Sequence, residues 1–245
     1  MAEGPLAGRR VVVTRPPEQA QPLAGRLDSL GARVELVPLV TIEPLEDNSE
    51  LEAAVRDLSS YDWLVLSSAN GVAAVAVALA GAPLAGPRVA AVGPATAAAV
   101  AALGTEVDFV PETYAAAEIG AGLGPLEDAR VLLPQASGAP PDLAAELRSR
   151  GAKVDAIPAY RTVGTEPTPV EVAALRVADA VVLASGSAAR SLAAQGGAGA
   201  ALLACIGPRT ASVAREVGLP VGLVADEATA EGIIQALVSH FGESQ

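Results

Sequence analysis

Short apolar runs alternate with stretches of helical spacing along the whole chain. Residues 10–14 are β-branched almost throughout (Val11, Val12, Val13, Thr14), the composition of a strand buried on both faces. A polar, proline-containing turn follows. Leu23, Leu27 and Leu30 then recur at helical spacing, and Gly31 suits a left-handed stop. Residues 34–37 make the next strand. The same order of strand, helix, glycine and strand returns over residues 130–157. Further strands are predicted at residues 63–66, 89–92, 180–183 and 203–206, each leading through a turn into an Ala-rich helix. Residues 109–110 and 222–224 read as short third strands, and residues 119–123 and 233–238 as final helices. This alternation is the signature of parallel βαβ sheets with helices on both faces, so the fold class is α/β.

The pattern repeats within the chain. Shifted by 120 positions, Val11 falls on Val131, Leu23 on Leu143, Leu27 on Leu147, Gly31 on Gly151 and Pro38 on Pro158. Shifted by 114, Val92-Gly93-Pro94-Ala95-Thr96 meets Ile206-Gly207-Pro208-Arg209-Thr210. Shifted by 117, Val65-Leu66-Ser67-Ser68 meets Val182-Leu183-Ala184-Ser185. The chain is therefore two structural halves of similar design, each with two parts. Its 245 residues suit one large or two small domains.

Two stretches interrupt the pattern, residues 39–45 and 159–167. Each follows a matching proline, and each contains a Glu-Pro pair near its end. Both read as extended connectors. Two tandem domains are one arrangement. A middle domain of residues 46–158 and an outer domain of residues 1–38 with 168–245 is the other, and it is favoured because both connectors then lie at the junction.

Composition narrows the chemistry. Hydrophobic residues make up 51% of the chain and aromatics only 2%, so Ala, Val and Leu must form the core. With 16 Lys and Arg against 28 Asp and Glu, the formal net charge is −12. The phosphate-neutralising term of nucleic-acid binding is missing. One cysteine, Cys205, and one histidine, His240, exclude a disulfide framework and a zinc site of the usual ligand count. They also argue against His–carboxylate catalysis, since His240 sits almost at the C-terminus. The Ala- and Val-rich runs, such as residues 72–80, are too short to span a membrane. Met1-Ala2-Glu3-Gly4-Pro5 lacks the basic leader of an export signal. A cytoplasmic protein is expected.

The polar residues cluster where strands give way to helices: Thr14 and Arg15, Ser67, Ser68 and Asn70, Thr96, Gln135 and Ser137, Ser185 and Ser187, and Thr210. Doubly wound folds bind ligands at these strand ends. Helix N-termini there offer free N–H groups that suit carboxylates or phosphates. The same residue types also serve as ordinary helix caps. Neither Gly-Pro turn is a P-loop, because no Lys follows at the required spacing. Tyr160 lies on the second connector beside Arg161. A phenol keeps its proton at pH 7 and can donate it; a packing tyrosine at a hinge is the alternative. Arg15, Arg161 and Arg209 are candidate carboxylate partners or solvated charges. Tyr114 precedes the final helix of its half, as a ligand contact or as packing. Cys205 reads as inert core and His240 as surface.

The segments Val11-Val12-Val13-Thr14-Arg15-Pro16, Leu66-Ser67-Ser68-Ala69-Asn70-Gly71-Val72, Val92-Gly93-Pro94-Ala95-Thr96, Pro158-Ala159-Tyr160-Arg161-Thr162 and Ile206-Gly207-Pro208-Arg209-Thr210 resemble, in order and spacing, the uroporphyrinogen-III synthase family. The resemblance covers nearly the whole chain. It implies two flavodoxin-like parallel-sheet domains joined by a two-stranded connector. It also implies closure of hydroxymethylbilane to uroporphyrinogen III with inversion of ring D and loss of water, without metal or organic cofactor. Tyr160 matches the family tyrosine proposed to help the terminal hydroxyl leave, and Thr96 and Thr210 match cleft threonines. The expected partners are substrate and product alone, with no nucleic acid or membrane, for a monomer. Relatives that carry Arg at the position of Asn70 lend this chain no Arg contact there. The rival is a non-catalytic tetrapyrrole- or anion-binding module on the same fold.

Overall fold

The computed structural model describes residues 4–112 and 116–242. The first part of the chain runs β1 (Arg10–Val13), α1 (Pro17–Ser29), β2 (Arg33–Leu36), β3 (Val40–Glu43) and α2 (Ser49–Arg56). It continues through β4 (Trp63–Leu66), α3 (Ala69–Leu79), β5 (Arg88–Ala91), α4 (Pro94–Ala101) and α5 (Ala116–Gly122). Next come β6 (Arg130–Ala136), α6 (Asp142–Ser149), β7 (Lys153–Gly164) and α7 (Pro169–Val177). The chain ends with β8 (Ala180–Leu183), α8 (Gly186–Ala194), β9 (Leu202–Cys205), α9 (Pro208–Glu216), β10 (Val221–Val224) and α10 (Ala230–Gly242). No helix among the described residues is long and apolar enough to cross a membrane.

The chain forms two compact units, one of residues 1–41 and 163–245, the other of residues 42–162. The first holds a sheet of order β10-β9-β8-β1-β2, its neighbours parallel. Numbered as the unit uses them, the strands follow the flavodoxin-like order 2-1-3-4-5. The chain leaves after the second strand and returns with the third. The second unit holds the order β3-β7-β6-β4-β5. With β6 and β7 taken first, β7-β6-β4-β5 repeats the same order, and β3 is added at the outer edge. Each of these four strands is parallel to its neighbour.

Strand sequence explains the layering. Along β1, Val11 and Val13 pack on one face of the sheet and Val12 on the other. In β4, Leu64 and Leu66 face one core while Trp63 and Val65 face the opposite one. All of these side chains are buried, which is why β1 and β4 carry apolar residues continuously instead of alternating. Gly31 and Gly151, with φ of +91° and +93°, end α1 and α6 in the left-handed conformation that favours glycine.

The internal repeat extends to a polar staple at the amino ends of the strands. Asp62 precedes β4; its carboxylate accepts the Arg130 N–H at 2.8 Å and its carbonyl the Arg88 N–H at 3.0 Å. Asp179 precedes β8 and does the same for Arg10 at 2.8 Å and Leu202 at 3.0 Å. Each aspartate thus ties three neighbouring strands in register.

Four elements differ from the sequence pattern. Residues 109–110 form no strand; Phe109 makes only an isolated parallel bridge to Ala90. Helices α2 and α7 were not legible as periodic segments. For α7 a local signal exists, since Thr168 and Glu171 form a reciprocal capping box. Residues 159–164 continue the sheet strand β7 instead of leaving it, and β3 lies beside them.

Candidate active site

In doubly wound sheets the ligand crevice opens beyond the carboxyl ends of the strands, where the strand order reverses. In the second unit that point lies between β4 and β6, and in the first between β1 and β8. The segments leaving these four strands carry Ser67, Ser68 and Asn70, Gln135 and Ser137, Thr14 and Arg15, and Ser185 and Ser187.

In the second unit, Ser68 is the N-cap of α3, and its hydroxyl accepts the Gly71 N–H at 3.1 Å. The same oxygen lies 2.8 Å from the Tyr160 phenol oxygen. Tyr160 is 8% exposed, and its carbonyl accepts the Ser137 N–H at 2.7 Å. A bulge brings it there. Gln135 pairs with Pro158 but Ala136 with Tyr160, so Ala159 is an extra residue on β7. Such an insertion re-aims the side chain that follows. Gly71 completes the fit, because a Cβ there would lie 3.3 Å from the Pro134 carbonyl. Ser67 and Ser137 are exposed; Asn70 and Gln135 are partly so. Thr96 is buried in the first turn of α4, after Gly93.

In the first unit, Thr14 is fully buried, and its hydroxyl donates to the Val182 carbonyl at 2.8 Å. It joins β1 to β8, and its side chain is enclosed between them in this structure. Arg15 is half-buried, and burial pushes its guanidinium down from the ordinary arginine range. No ion pair involves it among the described residues. Ser185 is the N-cap of α8, accepting the Ala188 N–H at 3.2 Å. Ser187 follows in the first turn of that helix. Thr210 is buried in the first turn of α9.

The two Gly-Pro turns differ in backbone. Gly93 has φ +108° and ψ 158°, a conformation reserved almost entirely for glycine. Gly207 is extended, at φ −179°.

Other candidates have structural occupations. Arg161 is paired with Glu43 of β3 at 2.8 Å, which joins the two adjacent strands. Arg209 is exposed. Cys205 is fully buried, and burial pushes its thiol up to about 11. His240 lies exposed on α10, with its ring edge-on to Phe241. Tyr114 lies outside the described residues. Tyr61 belongs to a cluster at the amino ends of the second sheet. It donates to Asp155 at 2.7 Å, with the Arg130 guanidinium 4.5 Å from its ring centre. Among the described residues, no group of three or more His, Cys, Asp or Glu is placed to hold a metal ion.

A family model described as uroporphyrinogen-III synthase HemD matches residues 21–235. The chain is 34% identical over 171 residues to a uroporphyrinogen-III synthase of Synechococcus elongatus, covering 66% of this chain and 64% of that one. It is 32% identical over 165 residues to a porphyrin biosynthesis protein HemD of Ruminiclostridium josui, covering 64% of this chain and 33% of that one. The chain thus spans less than two thirds of either relative. A mutant uroporphyrinogen III synthase structure from Thermus thermophilus superimposes with a TM-score of 0.63 at 19% identity, over 97% of this chain and 100% of that one. The Helicobacter pylori uroporphyrinogen-III synthetase gives 0.60 at 18%, over 95% and 99%. At these identities the structural likeness bears on the fold.

Proposed function

The chain belongs to the uroporphyrinogen-III synthase family, and from that premise we propose that it closes hydroxymethylbilane to uroporphyrinogen III, inverting ring D and releasing water. The observation that carries this is the family match across residues 21–235.

In this reading the Tyr160 phenol gives its proton to the terminal hydroxyl of the bilane. The carbon–oxygen bond breaks, water leaves, and an azafulvenium-like cation remains. Ring D attacks through a spiro intermediate that fragments and re-closes. The proton lost as the last pyrrole regains aromaticity returns to the phenolate. The bilane closes unaided to the symmetrical type I isomer, so the protein's main task is to hold one folded conformer. In the second unit Ser67, Asn70, Thr96, Gln135 and Ser137 supply polar contacts for the substrate, and in the first unit Ser185, Ser187 and Thr210 do. Arg15 and the helix N-termini provide local positive potential for a polycarboxylate on a chain of formal charge −12. A cytoplasmic monomer with no nucleic-acid or membrane partner completes the assignment.

The test supplies purified protein with freshly made hydroxymethylbilane and separates the oxidised type I and type III isomers. Type III in excess is expected. Type I alone, at the rate seen in buffer, overturns the assignment and leaves the non-catalytic alternative.

A further inference from the structure

The Ser68 hydroxyl makes two contacts, and capping α3 needs only one of them. We infer that Ser68 is a positioning residue for Tyr160: it donates to the phenol oxygen and leaves the phenol's own hydrogen free for a ligand. The inference rests on the assignment of Tyr160 to the proposed reaction.

Hydrogen accounting supports this direction. Ser68 Oγ accepts the Gly71 N–H at 3.1 Å. A serine hydroxyl has a single hydrogen, and the Tyr160 oxygen stands 2.8 Å away to receive it. An amide that donates to a hydroxyl polarises it and strengthens its onward donation. In the inferred direction, the chain Gly71 N–H to Ser68 O–H to Tyr160 ends on the phenol oxygen. A phenol that gives up its proton becomes an anion, and a donor already in place steadies it without reorganisation. The opposite direction, with Tyr160 donating to Ser68, would tie up the proton the reaction needs.

The internal repeat supplies a control. Ser185 occupies the matching turn after β8 and caps α8 through the Ala188 N–H at 3.2 Å. Among the described residues its hydroxyl makes no hydrogen bond to a second side chain. The same cap therefore forms without a tyrosine, and what sets Ser68 apart is Tyr160, re-aimed by the Ala159 bulge.

The experiment has a kinetic arm and a substrate-free arm. Ser68→Ala is expected to lower kcat for type III formation about tenfold, the scale of acid–base assistance, with KM unchanged within about twofold. Ser68→Thr, which keeps the hydroxyl, should restore most of the rate. In a Tyr160→Phe background, Ser68→Ala should cost less than about twofold, because coupled residues are not additive. Equal losses in both backgrounds, or a Thr variant no better than Ala, overturn the proposal. In the other arm the protein carries tyrosine labelled at the ring carbon bearing the hydroxyl. The Tyr160 resonance, identified by its loss in Tyr160→Phe, should shift in Ser68→Ala while that of Tyr61 stays. An unmoved Tyr160 resonance overturns the contact whatever the kinetics. If the wild-type protein forms no type III isomer, the activity assignment fails, and this resonance alone then decides the contact.

Discussion

The hydroxyl of Ser68 and the phenol of Tyr160, 92 positions apart in the chain, lie 2.8 Å from each other. Ser68 stands at the helix end of the β4–α3 turn, and Tyr160 on the last stretch of β7. Neither residue is adjacent in the sheet to the other's strand, since β6 lies between β4 and β7. The contact depends on the Ser68 cap and on the extra residue in β7 together.

Tyr160→Phe removes the phenol oxygen and keeps the ring in its packed position among Ile157 and Ala159. Type III formation is expected to fall about tenfold or more, within the range of general acid–base assistance. Unchanged turnover in the isomer assay would remove Tyr160 from the chemistry.

Thr14 and Arg15 are neighbours with opposite expected phenotypes. Thr14→Val breaks a fully buried bond to the Val182 carbonyl and should cost about 1–2 kcal/mol of stability, leaving KM unchanged. Arg15→Met breaks no ion pair among the described residues and relieves a desolvated charge, so Tm should hold or rise. KM for the bilane should increase about tenfold or more, the scale of a lost charge-assisted bond. A matched fall in stability for both, with KM unaltered, would contradict the division of roles.

Tyr61 supplies an alkaline signature. Burial first, and then the hydrogen bond to Asp155, push its phenol up to about 12. An unfolded tyrosine titrates near about pH 10, so the native protein holds this proton more tightly. The stabilisation is complete below the unfolded value and is lost as pH rises through the folded one. Stability should therefore decline between about pH 10 and 12. Tyr61→Phe should flatten that decline in urea unfolding followed against pH, and an identical slope in both proteins would refute the linkage.

The Gly-Pro turns separate on substitution. Gly93→Ala forces a side chain into φ +108° and should cost about 1–3 kcal/mol. Gly207→Ala keeps an extended backbone and meets Ala228, its methyl at 3.0 Å and its Cα at 3.6 Å. It should lower the thermal midpoint less than Gly93→Ala does.

Much was legible in the chain itself. The β-branched runs at β1 and β4, the leucine spacing of α1 and the glycines at 31 and 151 each follow from local preference, so they mark their elements without reference to distant residues. The same holds for the Ser68 and Ser185 caps, whose bonds reach only three residues ahead. The internal repeat foretold two sheets of one design. Tertiary structure decided what these polar residues do. Thr14 and Arg15 look equally available in sequence, yet the hydroxyl of Thr14 is taken by Val182, 168 positions away, while Arg15 has no ion pair among the described residues. Gly93 and Gly207 share a motif, yet their backbones differ by more than a sequence pattern encodes. Local periodicity records which face of a strand is buried; it carries no record of an inserted residue such as Ala159, or of which distant side chain that insertion brings within a hydrogen bond.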